Sequence, residues 1–219
     1  MQQETQPAEI YQGQFGEYTI TAADRRGVVV YRTGLAGAAV TFAVGTGLAL
    51  GFPHNETVVY SLSGLYTLFW LSLGLSLATI HIYLIPLHRL LQGFWLVGGL
   101  SSLAVAHYGD GPFWATVANH PQTVLGVGFT FAALTGIFFK EAFCFNRFET
   151  KLLTPLVPLV LLGHLFNVLP PLAVEILLGV WAVLFLVFAL RKGLQPLVPD
   201  IGDKSVFEYL KNRQPSSAV

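Results

Sequence analysis

The sequence predicts an all-α polytopic membrane protein, a bundle of six spanning helices with both termini on the cytoplasmic face (the stromal face of a thylakoid). Three observations carry that expectation. Six apolar stretches, near residues 28–52, 58–86, 90–107, 121–139, 152–169 and 172–190, approach or exceed the roughly 20 residues that cross a hydrocarbon core. Hydrophobic residues make up 53% of the chain and charged residues 11%, against roughly 25% charged in soluble domains. All twelve Lys and Arg fall in connections of one parity, as expected when cationic side chains are retained on the cytoplasmic side.

The elements follow in chain order. Residues 1–27 read as a polar N-terminal segment, 28–192 as the membrane domain and 193–219 as a C-terminal tail. Gln14 to Thr21 alternates apolar and polar residues, which suggests an extended segment along the inner surface. Thr21-Ala22-Ala23-Asp24 has the form of a capping box, so a helix starts near Ala22, with Arg25, Arg26 and Arg32 anchoring its entrance. The second span runs to Pro86, and Arg89 follows in the turn. Lys140, Arg147 and Lys151 lie between the fourth and fifth spans. Arg191, Lys192, Lys204, Lys211 and Arg213 follow the sixth, where Pro196 and Pro199 break the helix. Ser205 to Arg213 can form one or two short amphipathic turns, and the Ser216-Ser217 tail reads as disordered. Gly34 with Ala38, Gly45 with Ala49, Ser72 with Ser76 and Ala132 with Gly136 have the four-residue spacing that lets helices approach closely in lipid.

Composition excludes several classes. A formal net charge of zero with no basic groove argues against nucleic acid as a partner. The single cysteine, Cys144, rules out an internal disulfide framework and any site built from several cysteines. There is no Gly-rich phosphate loop, no His-Glu-x-x-His pair and no Gly-x-Ser-x-Gly turn, so the chain reads as a non-enzyme.

Ionisable groups in or near a bilayer are expensive and serve as functional candidates. His81 and His88 stand seven apart at the inner end of the second span, on one face of that helix and too far apart to share a metal ion. His81 has the position of an axial ligand to a tetrapyrrole, chlorophyll or haem, or of a structural histidine bonded to a neighbouring helix. His88 and Arg89 read as interfacial. Lys140 and Glu141 leave the fourth span among aromatics, and Glu141 is expected to pair with Arg32, Arg89 or Arg147. A functional version of that cluster makes Glu141 and His81 walls of one inner-face pocket. His164 and Glu175 flank the Pro170-Pro171 turn on the far side, where they can pair and close the hairpin or carry protons. His54, His107 and His120 belong to the outer loops and, with Asp110, match no ligand spacing.

Three segments together carry a family resemblance: Tyr18-Thr19-Ile20-Thr21 with Asp24-Arg25-Arg26, the run from Ile80 to Gln92 with Phe94-Trp95, and Phe139-Lys140-Glu141-Ala142-Phe143-Cys144-Phe145. The chain resembles, from about residue 10 to about 195, integral membrane proteins of cyanobacteria and plastids classed as a domain of unknown function. That resemblance implies a photosynthetic lineage and a thylakoid or plasma membrane, and brings no site residues with it. The leading expectation is an accessory or assembly factor whose partners are the bilayer and subunits of photosynthetic complexes. The alternatives are a pigment-binding protein using His81 and a small proton-coupled transporter using His164 with Glu175 and His81 with Glu141.

Overall fold

A computed structural model of the protein describes residues 9–213, so the Ser216-Ser217 tail lies outside the described residues. Six of its helices are long and apolar enough to cross a membrane. They are α1 (Ala22–Gly51), α2 (Glu56–Thr79), α3 (Ile85–Tyr108), α5 (Val124–Phe145), α6 (Phe148–Leu165) and α7 (Pro171–Leu194). A short helix, α4 (Phe113–Asn119), and a single turn at Pro121–Thr123 fill the connection before α5. α8 (Val198–Ile201) and α9 (Lys204–Arg213) follow α7. The six long helices close into a ring, in which α1 packs along α2 and α7, α5 along α3 and α6, α6 along α7, and α2 meets α3. Every described Lys and Arg lies at one end of this ring, the basic end.

Both chain ends arrive at the basic end. Strands β1 (Ile10–Gly13) and β2 (Gly16–Thr19) pair antiparallel, so the alternating segment is one arm of a hairpin. Gly16 has φ +140°, a conformation other residues rarely adopt, and it returns the chain after the Gln14-Phe15 turn. The Thr21–Asp24 capping box forms as read: Asp24 N donates to Thr21 Oγ1 at 3.2 Å and Thr21 N donates to Asp24 Oδ2 at 2.7 Å. Lys204 of α9 pairs with Asp24 at 2.8 Å, and Phe15 stacks on Tyr209 with ring centroids 3.9 Å apart. The hairpin, the start of α1 and α9 therefore form one clasp.

Two kinds of packing hold the ring. Gly34 lets the α1 backbone lie directly on α2, since a Cβ there would sit 2.6 Å from the Ser72 carbonyl oxygen and 2.7 Å from Ser76 N. Ser76 Oγ then donates to the Tyr31 carbonyl at 3.1 Å. Of the four small-residue pairs, the Gly34 and Ser72/Ser76 pairs meet each other, whereas a Cβ at Gly45 would make only ordinary contact with Leu62 and Leu65, at 4.0 Å each. The centre is filled by rings: Phe42 of α1, Phe69 of α2, Phe131 and Phe138 of α5, and Trp181, Phe185 and Phe188 of α7. Apolar side chains such as Val40, Leu68, Leu100, Leu103 and Val183 stay exposed, as lipid-facing positions must.

Several boundaries differ from the sequence reading. α2 ends at Thr79, not Pro86; Ile80 turns extended, and Pro86 sits in the first turn of α3. Proline lacks an amide hydrogen and disfavours a helical residue before it, so it starts a helix more readily than it continues one. α5 runs on to Phe145, two turns past the expected end. α6 begins at Phe148 because left-handed Asn146 (φ 53°) ends α5 at once.

Candidate functional site at the basic end

Helical periodicity carries three apolar stripes into a polar knot. On α1 the buried stripe Val28, Leu35, Ala38 includes Tyr31. On α5, Leu134, Ile137 and Phe138 lead to Glu141, and on α7, Trp181, Phe185 and Phe188 lead to Lys192. Glu141 and Lys192 are fully buried (0% exposed), a state that ionised groups reach only when paired. Lys192 Nζ donates to Glu141 Oε2 at 2.6 Å and to Asp200 Oδ1. Lys140 Nζ and the Tyr31 hydroxyl donate to Glu141 Oε1 at 2.8 and 3.1 Å. Arg32 clamps Asp200 Oδ2 through Nε (2.8 Å) and Nη2 (2.6 Å), and also bonds the carbonyls of Gln195 and Pro196. The Phe145 ring lies 3.9 Å from Lys192 Nζ, so an aromatic face shares that ammonium with the carboxylates.

The knot extends sideways. Gln195 Nε2 donates to Asp200 Oδ1 at 3.3 Å, and Arg147 bonds Gln195 Oε1. Arg147 and Arg191 share Glu149, at 3.4 and 2.6 Å. Five cations and three carboxylates thus tie α1, α5, α6, α7 and α8 together.

The sequence-derived candidates distribute unevenly. Lys140 and Glu141 stand at the centre, but the principal partner of Glu141 is Lys192, not Arg32, Arg89 or Arg147. Lys192, Asp200, Tyr31 and Glu149 were missed; the signal for Lys192 was its place on the stripe of Phe185 and Phe188. His81 and His88 do not share a helix face, because the chain breaks between them: His81 lies in the Ile80–Leu84 link and His88 on α3. His88 Nε2 donates to the Leu77 carbonyl at 2.7 Å, with Gln92 Nε2 at 3.3 Å, so the two cap the end of α2. Arg89 bonds Gln92 at 3.0 Å. His81 is partly buried beside Gly27, and burial pushes its imidazole below the ordinary value, which favours the neutral form. At the opposite end, His164 Nε2 donates to the Val117 carbonyl of α4 at 3.1 Å, while Glu175 is exposed; the two do not pair.

Concave space is found elsewhere. A pocket of about 130 Å³ between α2, α3 and α4 is lined by Tyr66, Trp70, Ser102 and Phe113. A recess of about 320 Å³ surrounds His54, Glu56 and Pro112. Neither is lined by His81 or by the ionic knot. Among the described residues no group of three or more His, Cys, Asp or Glu is arranged to hold a metal ion.

The family described as "Uncharacterized integral membrane protein (DUF2301)" matches residues 75–209, well over half of the chain. The chain belongs to that family. The matched part of this DUF2301 protein holds Lys140, Glu141, Arg147, Glu149, Arg191, Lys192 and Asp200, and so most of the knot. Tyr31 and Arg32 lie before it, as do Tyr18 to Arg26. No curated protein and no solved structure matches the DUF2301 chain.

Proposed function

We propose that this integral membrane protein is a non-enzymatic accessory or assembly factor, and that the complexes it serves are photosynthetic. The observation that carries the first part is the closure of the interior. The polar groups at the basic end bind one another, and the space between them and the opposite end is packed with Phe42, Phe131, Phe138, Trp181 and Phe185. Such a bundle favours partner binding over a proton path from His81 and Glu141 to His164 and Glu175. What it offers outwardly at the basic end is the clasp of hairpin and α9, with exposed Arg25 and Arg26 beside it. The photosynthetic setting, and with it a cyanobacterial or plastid thylakoid or plasma membrane, rests on the sequence resemblance alone. The cytoplasmic or stromal placement of both termini rests on the cation count.

The deciding experiment is purification of the tagged chain from native membranes in mild detergent, in parallel with a form lacking residues 9–19. Photosynthetic subunits should be enriched with the full chain and lost with the shortened one. Identical sets of proteins from both preparations would overturn the reading.

One observation favours pigment binding as a second reading. The His81 ring is held towards its neutral form by burial, sits at a helix break and has no hydrogen-bond partner among the described residues, which leaves a nitrogen able to ligate the central metal of chlorophyll or haem. An absorption spectrum of the same preparation tests it: a Soret band absent from the His81→Ala variant supports ligation, and a colourless full-length protein removes it.

A further inference from the structure

The corner where α6 meets α7 at the basic end carries more donors than acceptors. Arg147 and Arg191 share one carboxylate, Glu149, which leaves a full positive charge uncompensated at that corner. Arg147 Nε is buried and has no acceptor. Arg191 makes one charged hydrogen bond, Nη1 to Glu149 Oε2 at 2.6 Å, and its side chain remains 55% exposed. A guanidinium has five N–H donors in a planar fork, so Arg191 turns a set of unused donors outward at the last turn of α7.

What surrounds that fork is apolar. Leu152, three residues beyond Glu149 on α6, and Val187, four before Arg191 on α7, continue the same two helix faces towards the bilayer centre and are exposed. Leu190, Leu194 and Phe148 flank the corner and are more exposed still. A cationic fork at headgroup depth above an apolar seam fits one chemistry, a phosphodiester carrying acyl chains. Its negative charge offsets the positive surplus at the corner, and basic pockets between spanning helices hold anionic headgroups on this principle.

We propose that the basic end of the α6–α7 seam binds the headgroup of an anionic phospholipid, with Arg191 gripping the phosphate and Leu152 and Val187 contacting an acyl chain. Glu149 holds the fork in position by fixing one of its amino groups. The interaction is independent of whether the protein serves photosynthetic complexes.

The test is thermal unfolding of the purified chain in non-ionic detergent with added phosphatidylglycerol, phosphatidylcholine or inorganic phosphate. Phosphatidylglycerol at a hundredfold excess over its Kd should raise Tm by about 5 °C or more. Phosphatidylcholine and inorganic phosphate should leave Tm unchanged. Arg191→Gln should lose most of the shift, whereas Arg26→Gln, a change at an exposed cation elsewhere on the basic end, should keep it. Stabilisation by inorganic phosphate alone, or equal loss in both variants, would overturn the proposal. Native mass spectrometry of the unaltered chain supplies a readout free of folding defects: from an equimolar lipid mixture, phosphatidylglycerol should be retained in preference, and equal retention of phosphatidylcholine would likewise overturn it.

Discussion

The basic end and the α2–α3 seam are both helix contacts in one bundle, built on opposite terms. At the basic end, Lys192 and Glu141 are wholly buried, and their stability depends on every partner being present. In the seam, Trp70 and Trp95 stack with centroids 4.2 Å apart, and each indole Nε1 donates to the other's carbonyl, at 3.0 and 2.8 Å. Each ring rests on a glycine four residues from its partner: Trp95 on Gly74, Trp70 on Gly99. The seam is a local, reciprocal fit of shapes, while the knot is a long-range balance of charge. A loss in the seam should therefore be graded, and a loss in the knot should propagate.

The largest effect is expected from Lys192→Met. It removes the ammonium that separates Glu141 Oε2 from Asp200 Oδ1 and leaves two carboxylates facing each other in a buried site. Removing one partner of a buried pair costs about 3–5 kcal/mol; the lower figure applies here because Lys140 and Arg32 still hold the other oxygens. Adding Glu141→Gln should recover about 1–2 kcal/mol, since the two changes act on one interaction. Thermal unfolding of the four proteins measures it, and strictly additive losses would show that the knot is not one unit. Gly99→Ala sharpens the other half of the comparison. Its Cβ would lie 2.5 Å from the Trp70 ring, which stacking on Trp95 prevents from yielding, so a loss of about 1–3 kcal/mol is expected. Gly93→Ala on the same helix meets open space and should stay within about 0.5 kcal/mol of the original.

The same contrast explains what could be read from the chain beforehand. Local chemistry was legible: Thr21 and Asp24 announce a helix start because both caps lie within four residues, and six apolar stretches give six spans because a hydrocarbon core demands their length. Gly34 with Ala38 and Ser72 with Ser76 were each legible as small-residue faces, but that Gly34 lies against Ser76 was not, since they belong to different helices. The Lys192–Glu141 pair was not, because its members are 51 residues apart and Lys192 sits beside Arg191, where two adjacent cations look like one anchor. Only the helical period separates them, sending Lys192 inward and Arg191 out. Trp70-x-x-x-Gly74 and Trp95-x-x-x-Gly99 carried a readable repeat that the reading passed over. The end of α2 misled because Pro86 stops one helix and starts another equally well. Asp200 had no local signal at all, since it owes its burial to Arg32 and Lys192.

The clasp at the membrane surface lies between those extremes, and pH separates it from both. Asp203 accepts hydrogen bonds from Gln14 N at 2.6 Å, Ser205 Oγ at 2.6 Å and Ser205 N at 2.9 Å, and Gly13 is needed because any Cβ there would overlap the carboxylate. These bonds, that from the Ser205 side chain above all, hold the Asp203 carboxyl below its ordinary value. A carboxyl whose value is depressed on folding adds stability that is fully present above the unfolded value, about 3.9, and is lost as pH falls through the folded one. Exchange of the Gln14 amide should therefore be slow and steady from pH 5 to 8, after correction for the intrinsic rate, and lose protection below about pH 4. Asp203→Asn should abolish that step and leave the hairpin less protected throughout. The knot and the seam should keep their own protection across the same range, because neither depends on this carboxylate; simultaneous release of all three would mean that the clasp holds the bundle closed rather than resting upon it.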